Sequence, residues 1–203
     1  MKILLKITFL FLLTSCTMTK NNPLLETPGN SYQAPPFDRI ELNDYKPALI
    51  RAIDIAKGRV DSITANTEPP TFTNTIEALE YAGEEVARVA MIFYNLNEAH
   101  TSDQMQELAQ ELSPLYTEYQ LYVSLNPALF ERVKEVYRDQ SSLELTQEQA
   151  RLLEETYKSF VRNGANLSPE DKKTYGAIQE QLSLASLEFS KNVLAATNAY
   201  TLH

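Results

Sequence analysis

The stretch YKPALIRAIDIAKGRVDSI, residues 45–63, decides the fold class. Tyr45, Leu49, Ala52, Ile53, Ala56, Val60 and Ile63 recur every three or four positions. That spacing follows the 3.6-residue turn and paints one apolar face along a helix. Asn43 is expected as its N-cap, and Pro47 falls in the first turn, where a missing N–H is tolerated. Pro69 and Pro70 end the loop that follows.

The same period continues downstream. A second helix is expected over 74–98, with Ile76, Leu79, Val86, Val89, Phe93 and Leu96 inward. Gly83 inside it is unfavourable by about 1 kcal/mol relative to Ala, so it marks either a close approach of another helix or a tolerated glycine. Thr101 with Gln104 reads as a capping box for a third helix. That helix carries Met105, Leu108, Leu112, Leu115, Tyr119 and Tyr122 on its inner side, and Pro114 should kink it. Asn126-Pro127 pairs an N-cap with proline at the first helical position and starts a fourth helix. Leu129, Phe130, Val133, Val136 and Tyr137 face inward there. Thr146 with Gln149 caps a fifth, which should bury Leu153, Tyr157, Phe160 and Val161 before Gly164 ends it in a left-handed turn. Ser168-Pro169 with Asp171 opens a sixth, running to about residue 198, with Tyr175, Ile178, Leu182, Ala185, Phe189 and Val193 on its apolar face. Residues 200–203 leave the helical pattern. Six helices and no strand give an all-α array of antiparallel helices.

The N-terminus carries a different message. Lys2 and Lys6 precede an apolar run over 7–13 that is interrupted only by Thr8. A membrane span needs about 20 apolar residues, so this run reads as a signal-peptide core. Leu13-Thr14-Ser15-Cys16 resembles a bacterial lipobox, with cleavage between Ser15 and Cys16 and lipid on the Cys16 thiol. Cys16 is the only cysteine, so no internal disulfide can form. The expected organisation is a lipoprotein signal peptide over 1–15, a lipidated tether and extended linker over 16–42, and a helical domain over 43–203. Thr17, not Asp, follows the cysteine. That favours sorting to the outer membrane, facing the periplasm.

Losing Lys2 and Lys6 with the signal peptide would move the net charge from −9 to −11. Nucleic-acid binding is led by Lys and Arg contacts to phosphate, and a peripheral grip on anionic lipid needs basic clusters, so both are disfavoured. The membrane is reached through the lipid anchor alone. Five glycines, no tryptophan and abundant Leu, Ala and Glu lean toward helix.

A series of short blocks then places the chain in a family. Ala34-Pro35-Pro36-Phe37-Asp38-Arg39-Ile40 precedes Tyr45-Lys46-Pro47-Ala48. Pro70-Thr71-Phe72-Thr73-Asn74-Thr75-Ile76, Gly83-Glu84, Arg88-Val89 and Ala99-His100-Thr101 follow. Leu129-Phe130-Glu131-Arg132-Val133 and Phe160-Val161-Arg162-Asn163-Gly164-Ala165 complete the order. Together they resemble the N-terminal region of the thimet-oligopeptidase-like zinc metallopeptidases. The run Ala99 to Asp103 tilts the resemblance to the bacterial peptidyl-dipeptidases (dipeptidyl carboxypeptidases) over the oligopeptidase A branch. The resemblance implies that a segment like Asn22-Pro23-Leu24-Leu25 wraps against the body. It also implies that this region forms a wall and lid of a channel that admits short peptides, with zinc and the catalytic residues in a later part of the chain.

The chemistry of the sequence agrees with a non-catalytic region. A peptidase zinc needs about three protein ligands, and this sequence has two histidines, His100 and His203, in no His-Glu-x-x-His frame. No catalytic or metal-ligating residue is therefore assigned, and zinc is expected of the full-length family and not of this chain. Ser residues lack a Gly-x-Ser-x-Gly frame. Glu84-Glu85 and Glu154-Glu155 point about 100° apart on their helices and read as solvated faces. Tyr116, Tyr119 and Tyr122 form a stripe that reads as core packing before it reads as a peptide-binding surface. The Asn166-Leu167-Ser168 sequon is better explained by Ser168 as an N-cap.

Two functions from different classes follow. In the first, the chain is the truncated or split N-terminal portion of a lipid-anchored peptidyl-dipeptidase, inactive alone, whose partner is the missing catalytic half. Short peptides are met only through the completed channel. In the second, it is a free-standing helical lipoprotein that binds peptides or a partner peptidase.

Overall fold

The computed structural model describes residues 21–26, 29, 32 and 34–201. The expected signal peptide, the cleavage and lipidation site at Ser15 and Cys16, and His203 lie outside those residues.

Helix α1 spans Tyr45–Ala65, and all seven residues of its expected stripe are buried. Asn43 is not its cap. It sits inside a 3-10 turn, Leu42–Asp44, that leads directly into the helix. The Glu41 N–H donates to the Asp44 carboxylate at 2.8 Å and closes that turn, so Asp44 occupies the entry instead.

The expected second helix is divided. Thr71 and Asn74 cap one another, with the Thr71 N–H donating to Asn74 Oδ1 at 2.8 Å and the Asn74 N–H to Thr71 Oγ1 at 3.0 Å. A wide π-helical turn, Phe72–Glu77, follows and buries both Phe72 and Ile76. Helix α2, Ala78–Ala82, continues to a break at Gly83, and α3 resumes over Glu84–Ala99.

Helix α4 covers Asp103–Ser124 and runs on through Pro114. Its cap lies one residue later than expected. The Met105 N–H donates to Ser102 Oγ at 3.2 Å, while the Thr101 hydroxyl turns back to Asn97 Oδ1 at 2.9 Å. This register places Asp103 in the first turn, where its charge meets the positive end of the helix dipole.

The remaining starts follow the sequence. Asn126 caps α5, Pro127–Arg138, by accepting from the Leu129 N–H at 3.0 Å. Thr146 and Gln149 form the reciprocal box at the head of α6, Gln147–Arg162. Gly164 has φ +86°, the left-handed conformation that lets the chain turn out of α6. Ser168 accepts from the Asp171 N–H at 3.1 Å and opens α7, Pro169–Ala199. With α2 and α3 taken as two arms of one interrupted helix, the described residues hold six helices and no strand.

Two apolar clusters hold the helices together. The first joins α1, α3 and α4 through Leu49, Ala52, Val86, Val89, Phe93 and Leu112. Tyr45 and Phe93 meet edge to face there, with ring centres 5.1 Å apart. The second joins the end of α1 to the π turn, α5 and α6 through Val60, Ile76, Leu129, Val133, Leu153 and Phe160. Phe160 and Phe130 stack at 5.7 Å between centres. Val161 does not join them as expected and is partly exposed. It is turned about 100° from Phe160, and of α6 the second cluster takes Leu153 and Phe160, not Val161.

Leu24 is 2 % exposed and belongs to the first cluster. The Asn22 side chain fixes the approach by donating to the Asp44 carbonyl at 2.7 Å. The Leu24 N–H donates in turn to Asn22 Oδ1 at 3.0 Å. This stretch, polar and proline-bearing in sequence, is part of the packed body.

Helix α7 departs most from expectation. It is 31 residues long and none of them is buried. Ile178 and Leu182 are each 54 % exposed, Val193 48 % and Phe189 70 %. The periodicity that predicted an inward face identifies residues suited to burial; these residues, facing outward, have no neighbour to bury them.

Candidate functional site

A cleft of about 430 Å³ opens between the α2–α3 break, α4, α6 and α7. Glu80 and Glu84 line one side, Thr117 and Gln120 another, and Asn163 and Tyr175 the third. The Tyr175 hydroxyl donates to Asn163 Oδ1 at 3.4 Å and links α7 to the end of α6.

The break at Gly83 sets the shape of this cleft. A Cβ at position 83 would lie 2.8 Å from the Tyr119 hydroxyl oxygen. The glycine is there because α4 approaches closely, which decides between the two readings left open by the sequence. Arg59 of α1 secures the same point. Its guanidinium donates to the Tyr81 carbonyl at 3.2 Å and pairs with Glu85 through Nη2 at 2.7 Å. The Tyr81 carbonyl, which also accepts from the Gly83 N–H, and the Ala82 carbonyl thus meet a cation at the end of α2, and Glu85 opens α3 with an acid. The hydrogen bond from Arg59 holds the Glu85 carboxyl below its usual range. Burial pushes the Tyr119 hydroxyl upward from its ordinary value.

The tyrosine stripe of α4 is packing. Tyr119 is buried, and Tyr116 is half-buried against the first cluster. The Tyr122 hydroxyl bonds Asp61 of α1, and Lys57 Nζ lies 5.2 Å above its ring. The paired acids are engaged as well. Glu154 and Glu155 both meet Arg151 at 3.0 Å.

No metal site forms among the described residues. No group of three or more His, Cys, Asp or Glu side chains is placed to hold an ion. His100 is exposed at the end of α3, where its N–H donates to the Leu96 carbonyl at 2.8 Å. This donor set does not fit a peptidase zinc.

Sequence reasoning missed two features of this region. The Arg59–Glu85 pair spans 26 residues, and no local pattern announces it. Arg132, buried in α5, donates to the Asn66 carbonyl at 2.8 Å and to Asn74 Oδ1 at 3.0 Å, clamping the loop before the π turn. The block Leu129 to Val133 contained it without indicating that role.

No protein-family profile matches the chain. Individual relatives do. It is 35% identical over 178 residues to the dipeptidyl carboxypeptidase of Salmonella typhimurium, which covers 88% of this chain and 26% of the relative. The dipeptidyl carboxypeptidase of Escherichia coli is 34% identical over 182 residues, covering 90% of this chain and 27% of the relative. The homologues of this chain are dipeptidyl carboxypeptidases and oligopeptidases A. Oligopeptidase A of Escherichia coli matches at 27% over 180 residues, or 89% of this chain and 26% of the relative. The higher identity to the dipeptidyl carboxypeptidases agrees with the tilt read from residues 99–103. The chain spans about a quarter of the length of the curated relatives it matches. Among the described residues, no helix is long and apolar enough to cross a membrane.

Proposed function

We propose that this chain is the N-terminal, non-catalytic portion of a zinc peptidyl-dipeptidase that releases C-terminal dipeptides from short peptides. One observation carries the reading: about nine-tenths of the chain aligns, at 34–35% identity, with about a quarter of two dipeptidyl carboxypeptidases. The helices of this portion would form one wall and the lid of the substrate channel, limiting entry to short peptides. Zinc and the hydrolytic residues would come from the rest of the enzyme. The two histidines of this chain lie about a hundred residues apart, outside any His-Glu-x-x-His frame, which supports that division.

Cys16 would carry the lipid that tethers the enzyme to a membrane face on the periplasmic side, at the outer membrane. The short apolar run over 7–13 and the Leu13-Thr14-Ser15-Cys16 sequence support this.

The test is to weigh the native protein and read the gene beyond the His203 codon. The expected result is a peptidase polypeptide with a His-Glu-x-x-His helix, continuous with this chain or purified in complex with it. That assembly cleaves dipeptides from a short peptide, while residues 16–203 alone do not. A native mass equal to lipidated residues 16–203, with no such polypeptide made in the same cell, overturns the proposal.

A further inference from the structure

Helix α7 has two faces of opposite character. Its inner row, Lys172, Gly176, Gln179, Ser183 and Leu187, is the less exposed side. Lys172 Nζ reaches the Leu125 carbonyl at 3.3 Å, a Cβ at Gly176 would meet Leu121 at 3.6 Å, and Leu187 packs on the first apolar cluster. This row is mostly polar or small, so little apolar area holds α7 to the body. The outer row is Ile178, Leu182, Ala185, Phe189, Val193 and Ala196. At about 100° per residue it is turned about 120° from the inner row. It contains no charged residue, and its four large members are about half exposed or more. At 1.5 Å per residue the row is about 27 Å long.

A continuous apolar row of that length on a single helix face is unusual for a surface left in water. Amphipathic helices bury such rows against a partner, with anchors at the same three-to-four spacing. Its length relative to known relatives indicates the partner. Each dipeptidyl carboxypeptidase compared has about three-quarters of its length beyond what this chain matches. α7 is also the last helix described, so in the N-terminal reading it lies nearest in sequence to that remainder.

We infer that the outer row of α7 is the seat of the remaining peptidase polypeptide, which covers Ile178, Leu182, Phe189 and Val193 with an apolar surface of its own. This inference rests on the reading of the chain as part of a peptidase. It also assigns α7 a specific role: its outer row joins this helical portion to the remainder.

The test places a photoreactive benzoylphenylalanine in the native protein, in its own cells, at Phe189, and separately at Lys173 on another face as a control. Irradiation is followed by mass spectrometry of the cross-linked peptides. The expected result is a cross-link from position 189 to a segment that aligns with the relatives' other three-quarters. That cross-link is absent from position 173 and is abolished by Leu182→Glu, an exposed change that leaves the body folded. A cross-link to a second copy of this chain, or to lipid, overturns the inference. So does a bare position 189 while the matching polypeptide is present. If no matching polypeptide exists in the cell, the peptidase reading falls and this inference falls with it. If it exists and cross-links elsewhere, only the role of α7 is wrong.

Discussion

Gly83→Ala tests the account of the break between α2 and α3. In an ordinary helix interior this change would be favourable by about 0.8–1 kcal/mol, because alanine is the better helix former. Here the new methyl would lie 2.8 Å from the Tyr119 hydroxyl oxygen, about 0.6 Å inside ordinary contact. Tyr119 is buried in the first cluster and borders the cleft, so relief requires its ring to shift out of that packing. Overpacking of this kind costs about 1–3 kcal/mol, enough to reverse the sign of the propensity gain. Net of the propensity gain this is a loss of up to about 2 kcal/mol, and with a urea slope of about 2 kcal/mol per molar the midpoint should fall by up to about 1 M. Tyr119→Phe removes the offending oxygen, and the next atoms of the ring are 3.8 and 3.9 Å from the methyl position. In that background Gly83→Ala should be neutral or stabilising. Urea unfolding of the wild type, both single variants and the double variant gives the coupling directly. A Gly83→Ala midpoint at or above wild type, with no coupling to position 119, would refute the close-approach argument.

Other expectations follow from the same geometry. Leu24→Ala should destabilise the chain by about 2–5 kcal/mol, as for a core leucine, although it lies in a stretch that reads as linker; a urea midpoint unchanged from wild type would return residues 22–25 to the linker. The Glu85 carboxyl is held below its usual range by Arg59, so its contribution is present above the unfolded carboxylate pKa and lost as pH falls through the lower folded value. Stability measured from neutral to acid pH should therefore fall less steeply in Glu85→Gln than in wild type, and parallel curves would remove the pair from the account. Phe189→Ser on the purified chain should move the urea midpoint by no more than about 0.5 kcal/mol equivalent, because the ring is already exposed. A loss near that of a core phenylalanine would mean that α7 buries its outer row within this chain.

The degree to which structure was legible in sequence varied from element to element, for identifiable reasons. The α1 stripe was read in full because its apolar residues face two clusters on one side for the whole length of the helix. The caps at Asn126, Thr146 and Ser168 were legible because a cap is a local device, formed by residues three apart. The Thr101 cap was misplaced by one residue because Ser102 offers the same chemistry next door, and local pattern alone does not choose between two adjacent hydroxyls. The α2–α3 break was visible only as a glycine. What it accommodates, the Tyr119 hydroxyl, comes from 36 residues away. The candidate cleft was not legible at all, since it arises where four helices fail to fill the space between them.

Periodicity, capping chemistry and ordered short blocks, all properties of neighbouring residues, were enough to establish an all-helical chain, the starts of most of its helices and its kinship with the dipeptidyl carboxypeptidases. Three-dimensional packing decided the matters that depend on distant partners. It drew Leu24 into the core, set Arg59 on the broken end of α2, and left the apolar row of α7 facing outward. The physical reason is that a sequence records which surfaces are suited to burial, while burial itself requires a second surface, and only the folded arrangement shows where one is present and where it is missing.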